Sequence, residues 1–326
     1  MVSNNWIGWI GMMRTAILIF FVFSVCAFRI AADDDGRVQK SQTIIRTGVS
    51  IVNVVFTAKD RKGKHVEGLT ADDFLIFEDR VPQKIEYFSE PDKNGKGADT
   101  PLTIVFLIDT SASVKDKLRY EKATAAEFFR TILRPNKDLV AIIQFDNDVN
   151  LVQDFTQNQN DLINALDSLT IGSSTALYDA IYLAAEEKLK NEVGRRVIVV
   201  ITDGEDMTSR VRKEEAIEVA QRSDVIIYGI GVRGTGYSAN FGVLKEFSDE
   251  TGGMFFSPLA GLNEIQKAFD SIRDELQDQY SLAYRSSNIQ KDGKYRSIDL
   301  RCKKSGVRIR ARKGYFAPRA KPGDSW

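Results

Sequence analysis

Residues 102–113, Leu-Thr-Ile-Val-Phe-Leu-Ile-Asp-Thr-Ser-Ala-Ser, decide the fold. A run that is apolar save for Thr103 stops abruptly on Asp109, and hydroxyl-bearing residues follow at once. An unbroken apolar run of this length reads as a strand buried on both faces, the habit of parallel sheets. The same signature returns at Leu139–Phe145 (LVAIIQF), at Arg196–Thr202 (RVIVVIT, followed by Asp203) and at Val225–Val232 (VIIYGIGV), with a shorter run at Met254–Ser257. Between these runs the period changes to that of helices. Lys115–Leu133 gathers Ala125, Ala126, Phe128, Phe129 and Ile132 on one side, and Asp161–Leu169, Ala176–Leu189, Arg212–Arg222, Phe241–Glu250 and Gly261–Gln277 complete the series. Continuous strands alternating with amphipathic helices predict an α/β fold, a doubly wound, mostly parallel sheet covered on both faces.

Outside this region the period falls to two. Val49–Ala58, Phe74–Glu78 and Ile85–Phe88 precede it; Gln279–Arg285, Tyr295–Arg301 and Val307–Arg312 follow it. Half-apolar strands need a surface to cover, so the two flanks are expected to join into one smaller β domain from which the α/β domain emerges. The chain is thereby divided into a leader at 1–32, β strands at 43–90, a charged Gly- and Pro-bearing linker at 91–100, the α/β domain at 101–277, closing β strands at 278–318 and a tail at 319–326. A length of 326 residues suits about two domains.

Composition excludes several functions. Lys plus Arg number 45 and Asp plus Glu number 45. Arg14 and Arg29 are the charged residues of the leader, so the remainder sets 43 bases against 45 acids. A near-neutral body argues against nucleic acid held through phosphates. Two cysteines, Cys26 in the leader and Cys302 in the body, exclude a disulfide framework and a cysteine zinc cluster. A single histidine, His65, leaves no His-rich metal site and suits neither a Ser–His–Asp nor a Cys–His engine.

The remaining chemistry is oxygen chemistry. In a doubly wound sheet the carboxyl ends of the strands open onto one crevice, and both Asp109 and Asp203 occupy such ends. Ser111 and Ser113 stand two apart on a tight loop, and Thr175 opens a later helix after Gly172-Ser173-Ser174. Two carboxylates and three hydroxyls favour Mg²⁺, with Mn²⁺ or Ca²⁺ as alternatives, over zinc or copper. Two aspartates at most cancel a divalent charge, and hydroxyls cancel none. If one aspartate acts through water, the ion keeps an open position that an outside carboxylate would fill.

At these residues the chain resembles the von Willebrand factor type A (VWFA) family. The family's D-x-S-x-S matches Asp109, Ser111 and Ser113, its distant Thr matches Thr175, and its Asp-Gly matches Asp203-Gly204. The likeness covers about Pro101–Gln277. Ala112 stands where Gly is common, and Ser173-Ser174 where Gly-Gly is common; neither change removes a ligand. The flanks, Gly68–Phe74 with Phe77-Glu78-Asp79 and Arg312–Phe316, look like the VWFA-related domain family named from acidobacterial proteins. The resemblance implies a Rossmann-like fold, a metal-ion-dependent adhesion site (MIDAS) and a role in adhesion or protein–protein binding. It also implies direct ion contact by the Ser and Thr residues and water-mediated contact by the second Asp. The expected partner is a protein offering an Asp or Glu side chain.

Two other functions compete. A Mg²⁺-dependent phosphohydrolase using Asp109 would carry a second Asp two residues on, where Ser111 stands, and no G-x-x-x-x-G-K-[ST] loop is present. A metal-independent scaffold would bind through the α/β surface alone. Asp109 and Asp203 could also be mere helix caps. Glu205 and Asp206 read as solvated loop charges, and Asp179 as either a support behind the ligands or a helix-surface acid. Asp146-Asn147-Asp148 reads as a turn, His65 as exposed, and the Arg308/Arg310/Arg312 stripe as a solvated strand face.

The leader sets the compartment. Arg14 precedes the apolar run Ala16–Phe28, which ends in Ile30-Ala31-Ala32 before three aspartates. This order reads as a cleaved secretory signal, with an uncleaved N-terminal anchor over residues 15–32 as the alternative. The body is expected to be exported: periplasmic, on the cell surface or secreted, touching the membrane only through an uncleaved leader.

Overall fold

Period-two strands come first along the chain: β1 (Ile51–Lys59), β2 (Phe74–Glu78), β3 (Val81–Gln83) and β4 (Ile85–Ser89). The α/β region then runs β5 (Leu102–Asp109), α1 (Lys115–Ile132), β6 (Leu139–Phe145), β7 (Val149–Thr156), α2 (Gln159–Ser168) and α3 (Leu177–Leu183), the last continuing as a π-helical segment, Ala184–Leu189. It goes on through β8 (Arg195–Thr202), α4 (Lys213–Arg222), β9 (Val225–Gly231), α5 (Phe241–Thr251), β10 (Phe255–Phe256) and α6 (Leu262–Gln277). Period-two strands return as β11 (Tyr280–Arg285), β12 (Tyr295–Cys302), β13 (Arg308–Ala311) and β14 (Gly314–Phe316). This computed structural model describes residues 51–91, 100–233, 239–257 and 262–320. The leader at 1–32, Cys26, most of the linker at 91–100 and most of the tail at 319–326 lie outside the described residues. All the elements above fall within one compact unit, Gly48–Trp326.

The central sheet has the order β10-β9-β8-β5-β6-β7 and is parallel except for β7, which runs antiparallel to β6. Alternation along β5 sorts its side chains between two cores. Leu102, Ile104, Phe106 and Ile108 pack with α1, α2 and α6, whereas Val105 and Leu107 pack with α3, α4 and α5. Phe106 lies edge-on to Phe129 at 5.0 Å and stacked on Phe269 at 5.6 Å, joining α1 and α6 across the strand. Fully burying each such side chain is worth about 1.5–3 kcal/mol, which is why the apolar runs fix this layer so firmly.

The flanking strands do pair with one another. β1 lies antiparallel between β11 and β13, and β4 adds beyond β11; β12 lies between β14 and β2, with β3 on the far edge. Both sheets share one core, in which Phe56 packs edge-on to Phe74 at 5.0 Å and stacks on Tyr280 at 5.5 Å. Pro82 sits in β3, where a missing donor costs nothing to the interior of the sheet.

Two strands have no clear signature in the sequence, and two expectations need correction. β7, Val-Asn-Leu-Val-Gln-Asp-Phe-Thr, is broken by polar residues because it forms a half-covered edge, with Leu151 48 % exposed. β14 is only three residues long. The His65 side chain is only 6 % exposed, its ring stacked on Tyr280 at 5.4 Å. The arginine stripe is not simply a solvated face. Arg310 meets Glu275 of α6 at 3.6 Å, and Arg312 pairs with Asp224 and donates to the Asn53 carbonyl at 2.6 Å. Glu275 is buried and also accepts from Thr57 Oγ1 at 2.9 Å and from Lys59, so this acid pins α6 to β1 and β13.

Candidate metal centre

Asp109 ends β5 and Thr202 ends the neighbouring β8, so adjacent strand ends bring the two conspicuous aspartates side by side. Asp109 is fully buried. Its Oδ1 accepts from the Ser111 amide at 2.8 Å, which folds the Asp-Thr-Ser loop back over the strand end, and its Oδ2 accepts from Thr202 Oγ1 at 2.5 Å. Ser111 Oγ and Ser113 Oγ lie 3.0 Å apart, and Ser113 Oγ donates to Asp203 Oδ2 at 2.7 Å. Asp203 Oδ1 accepts from the Glu205 amide at 3.1 Å. Asp109, Ser111, Ser113 and Asp203 thus form one hydrogen-bonded chain.

Thr175 reaches the same neighbourhood through backbone. The Gly172 amide donates to the Thr110 carbonyl at 2.7 Å, tying the 172–175 loop to the Asp109 loop. The Thr175 carbonyl accepts from Met207 and Thr208 amides at 2.8 and 3.1 Å, tying it to the segment that follows Asp203. Thr175 itself is buried. Gly204 has φ +84°, and a Cβ there would stand 2.4 Å from the Asn240 carbonyl oxygen, so the Asp-Gly pair is a conformational requirement.

The acids around the loop take defined jobs. Asp206 accepts from the Tyr178 amide at 3.1 Å and from Ser209 Oγ at 2.5 Å. Asp179 accepts from the amides of Arg210 and Val211 at 2.9 and 3.0 Å. Neither is an idle surface charge; together they button the 203–211 loop to the start of α3. Asp146 and Asp148 close the expected turn, the Asp148 amide donating to Asp146 Oδ1 at 3.1 Å. Ile171 and Met207, 37 % and 75 % exposed, stand on the two loops that hold Thr175.

Electrostatics single out Asp109. Burial pushes its carboxyl up to about 6, against the downward pull of the Ser111 and Thr202 hydrogen bonds, and the Asp203 charge adds to the rise. A carboxylate kept from water beside another acid is a place where a cation is electrostatically welcome. The donor set is oxygen throughout, two carboxylates with hydroxyls, and suits a hard divalent ion. Among the described residues no cluster of three or more His, Cys, Asp and Glu side chains is gathered for a metal; this set depends on hydroxyls. One further buried acid, Glu121 of α1, feels the charges of Asp109 and Asp203 and has no motif in the sequence to mark it. Its only signal is its place in the register of an apolar stripe.

The family model for the von Willebrand factor type A domain matches residues 103–271. An uncharacterized protein of Borreliella burgdorferi is 28% identical over 183 residues, 47% of this chain and 53% of the relative, so the chain spans about half the length of the curated relative it matches. Among solved structures, an aerotolerance-related membrane protein from Bacteroides fragilis is 21% identical over 54% of this chain and 98% of its own, with a TM-score of 0.46. Proximal thread matrix protein 1 from the mussel byssus, solved with a zinc-occupied MIDAS motif, is 17% identical over 57% of this chain and 48% of its own, with a TM-score of 0.48. Among the described residues no helix is long and apolar enough to cross a membrane.

Proposed function

The chain belongs to the von Willebrand factor type A domain family, and from that premise we propose that it is an exported binding module that captures a partner protein's carboxylate through a divalent cation. The observation that carries this reading is the hydrogen-bonded chain from Asp109 through Ser111 and Ser113 to Asp203, drawn from the ends of two neighbouring strands. Asp109, Ser111, Ser113, Thr175 and Asp203 would hold the ion, Mg²⁺ in the first place and Mn²⁺ or Ca²⁺ as alternatives. When bound, the cation supplies a Lewis-acidic position for an outside Asp or Glu.

The protein's own groups prepare that position. The Ser111 amide and Thr202 hydroxyl fix the Asp109 carboxylate, and the Glu205 amide fixes that of Asp203. Ser113 gives its proton to Asp203 and so meets Ser111 Oγ as an acceptor, which turns both hydroxyl oxygens towards the Asp203 carboxylate. Ile171 and Met207 offer apolar contact to whatever surrounds the captured acid. We take the module to be a binder and not a hydrolase, because Ser111 stands where a phosphohydrolase would carry its second Asp. The boundaries proposed for it are 101–277 for the ion-binding domain, with 43–90 and 278–318 as its β flanks. Export rests on the leader at 1–32.

Calorimetric titration of Mg²⁺ and Mn²⁺ into the full chain and into Asp109→Ala tests the reading. Binding by the wild type that the variant lacks is expected. Equal, undetectable binding by both ends the proposal. Capture of a partner from an envelope fraction that persists in EDTA would favour the metal-independent scaffold.

A further inference from the structure

Helix α1 carries an acid where its apolar stripe should continue. Leu118, Ala125 and Phe128 are buried on one face, and Glu121, three residues after Leu118 and four before Ala125, lies in the same register and is fully buried. Among the described residues neither Oε1 nor Oε2 has a hydrogen-bond partner. A buried acid with both oxygens unpaired is expensive, and native proteins satisfy such groups or give them a task.

Direction suggests the task. Side chains on a helix lean towards its N-terminus, and α1 starts at Lys115, directly after the Ser111–Val114 loop. Glu121 lies six residues, about 9 Å of helix rise, from that start, and the general lean of helical side chains turns it towards that end. After burial itself, the charges of Asp109 and then Asp203 hold its carboxyl well above the usual carboxylate range, with Lys117 opposing them.

We propose that Glu121 is a third acid of the cation site, acting through a bridging water on the ion that Asp109, Ser111, Ser113, Thr175 and Asp203 would hold. The inference rests on the cation reading above. It gives the unpaired oxygens their partner, since a water on the buried side of a cation donates outward to such an acceptor. It would also bring a third negative charge to the ion from within the fold, where Glu121 is buried and a visitor cannot reach.

The rival is a neutral glutamic acid that merely fills space. Glu121→Gln separates the two, because glutamine reproduces the neutral acid in size and polarity but has no charge to offer. Calorimetric titration of Mn²⁺ and Mg²⁺ at pH 7 would be run on the full chain, on Glu121→Gln, on Glu121→Met and on Asp109→Ala. The two Glu121 variants are expected to melt in EDTA no lower than the wild type and to lose about 10- to 100-fold in ion affinity, the usual effect of removing a group behind the ligands. Unchanged affinity in Glu121→Gln overturns the inference while leaving the cation site standing. A wild type that binds neither ion overturns both. Loss of fold in both Glu121 variants marks the residue as structural and overturns the inference as well.

Discussion

Ser113 Oγ donates to Asp203 Oδ2 at 2.7 Å, joining the loop after β5 to the strand end of β8. Ser113 is only half buried, so the bond alone contributes about 0.5–1.5 kcal/mol. Ser113→Ala should therefore fold with a small loss of stability yet bind divalent ions markedly more weakly, as seen by titration calorimetry. An unchanged affinity would remove Ser113 from the ligand set.

Asp109 makes stability depend on pH in a defined direction. With its carboxyl at about 6 when folded and near 3.8 otherwise, the folded protein binds more protons throughout that interval. Its contribution to stability therefore falls as pH rises from about 4 to about 6, by about 3 kcal/mol in all. In EDTA, the melting temperature of Asp109→Asn minus that of the wild type should grow over this range and level off above it. A difference that stays flat from pH 4 to 7 contradicts the account.

Gly204→Ala should destabilise by more than about 2 kcal/mol. The residue has φ +84° and its new methyl would meet the Asn240 carbonyl oxygen at 2.4 Å, a backbone atom with no freedom to swing aside. A urea unfolding midpoint equal to that of the wild type would refute this.

Glu275 joins α6 to the flanking strands. Its carboxylate is buried, while its partners Lys59 and Arg310 are partly exposed and screened by solvent. Replacing it by Ala strands Thr57 and both cations, at about 2 kcal/mol. Hydrogen exchange should quicken first in β1 and β13, ahead of β5 and β8. Uniform acceleration across the molecule would mean that the acid does not act as a local pin.

Sequence specifies this fold most plainly where side-chain chemistry is monotonous. The strands β5, β6, β8 and β9 are buried on both faces, so nearly every residue is apolar and the pattern admits one interpretation. The loop motif was legible because Asp109 and Asp203 each follow such a run. β7 was not, because an edge strand half open to water tolerates Asn150 and Asp154 within it. Glu121 is hidden for a different reason: the apolar positions of α1 define its buried stripe, and one acid within that stripe leaves the period intact. The burial of His65 and the ion pairs of Arg310 and Arg312 depend on which elements meet at long range, and no local pattern encodes that.

The course of β5 has a mechanical consequence. The strand begins at Leu102, beside the end of α6, since Leu102 pairs with Arg195 and Arg195 donates to the Leu276 carbonyl. It ends at Asp109. The α/β body therefore enters and leaves at one end of the sheet and would grip its visitor at the other. A tug between visitor and chain ends would run lengthwise along β5, which is laddered to β6 over Thr103–Asp109 and to β8 over Leu102–Ile108. Yielding would mean shearing both ladders at once, since neither can be unzipped one rung at a time, and that is the stronger geometry for a tether under load.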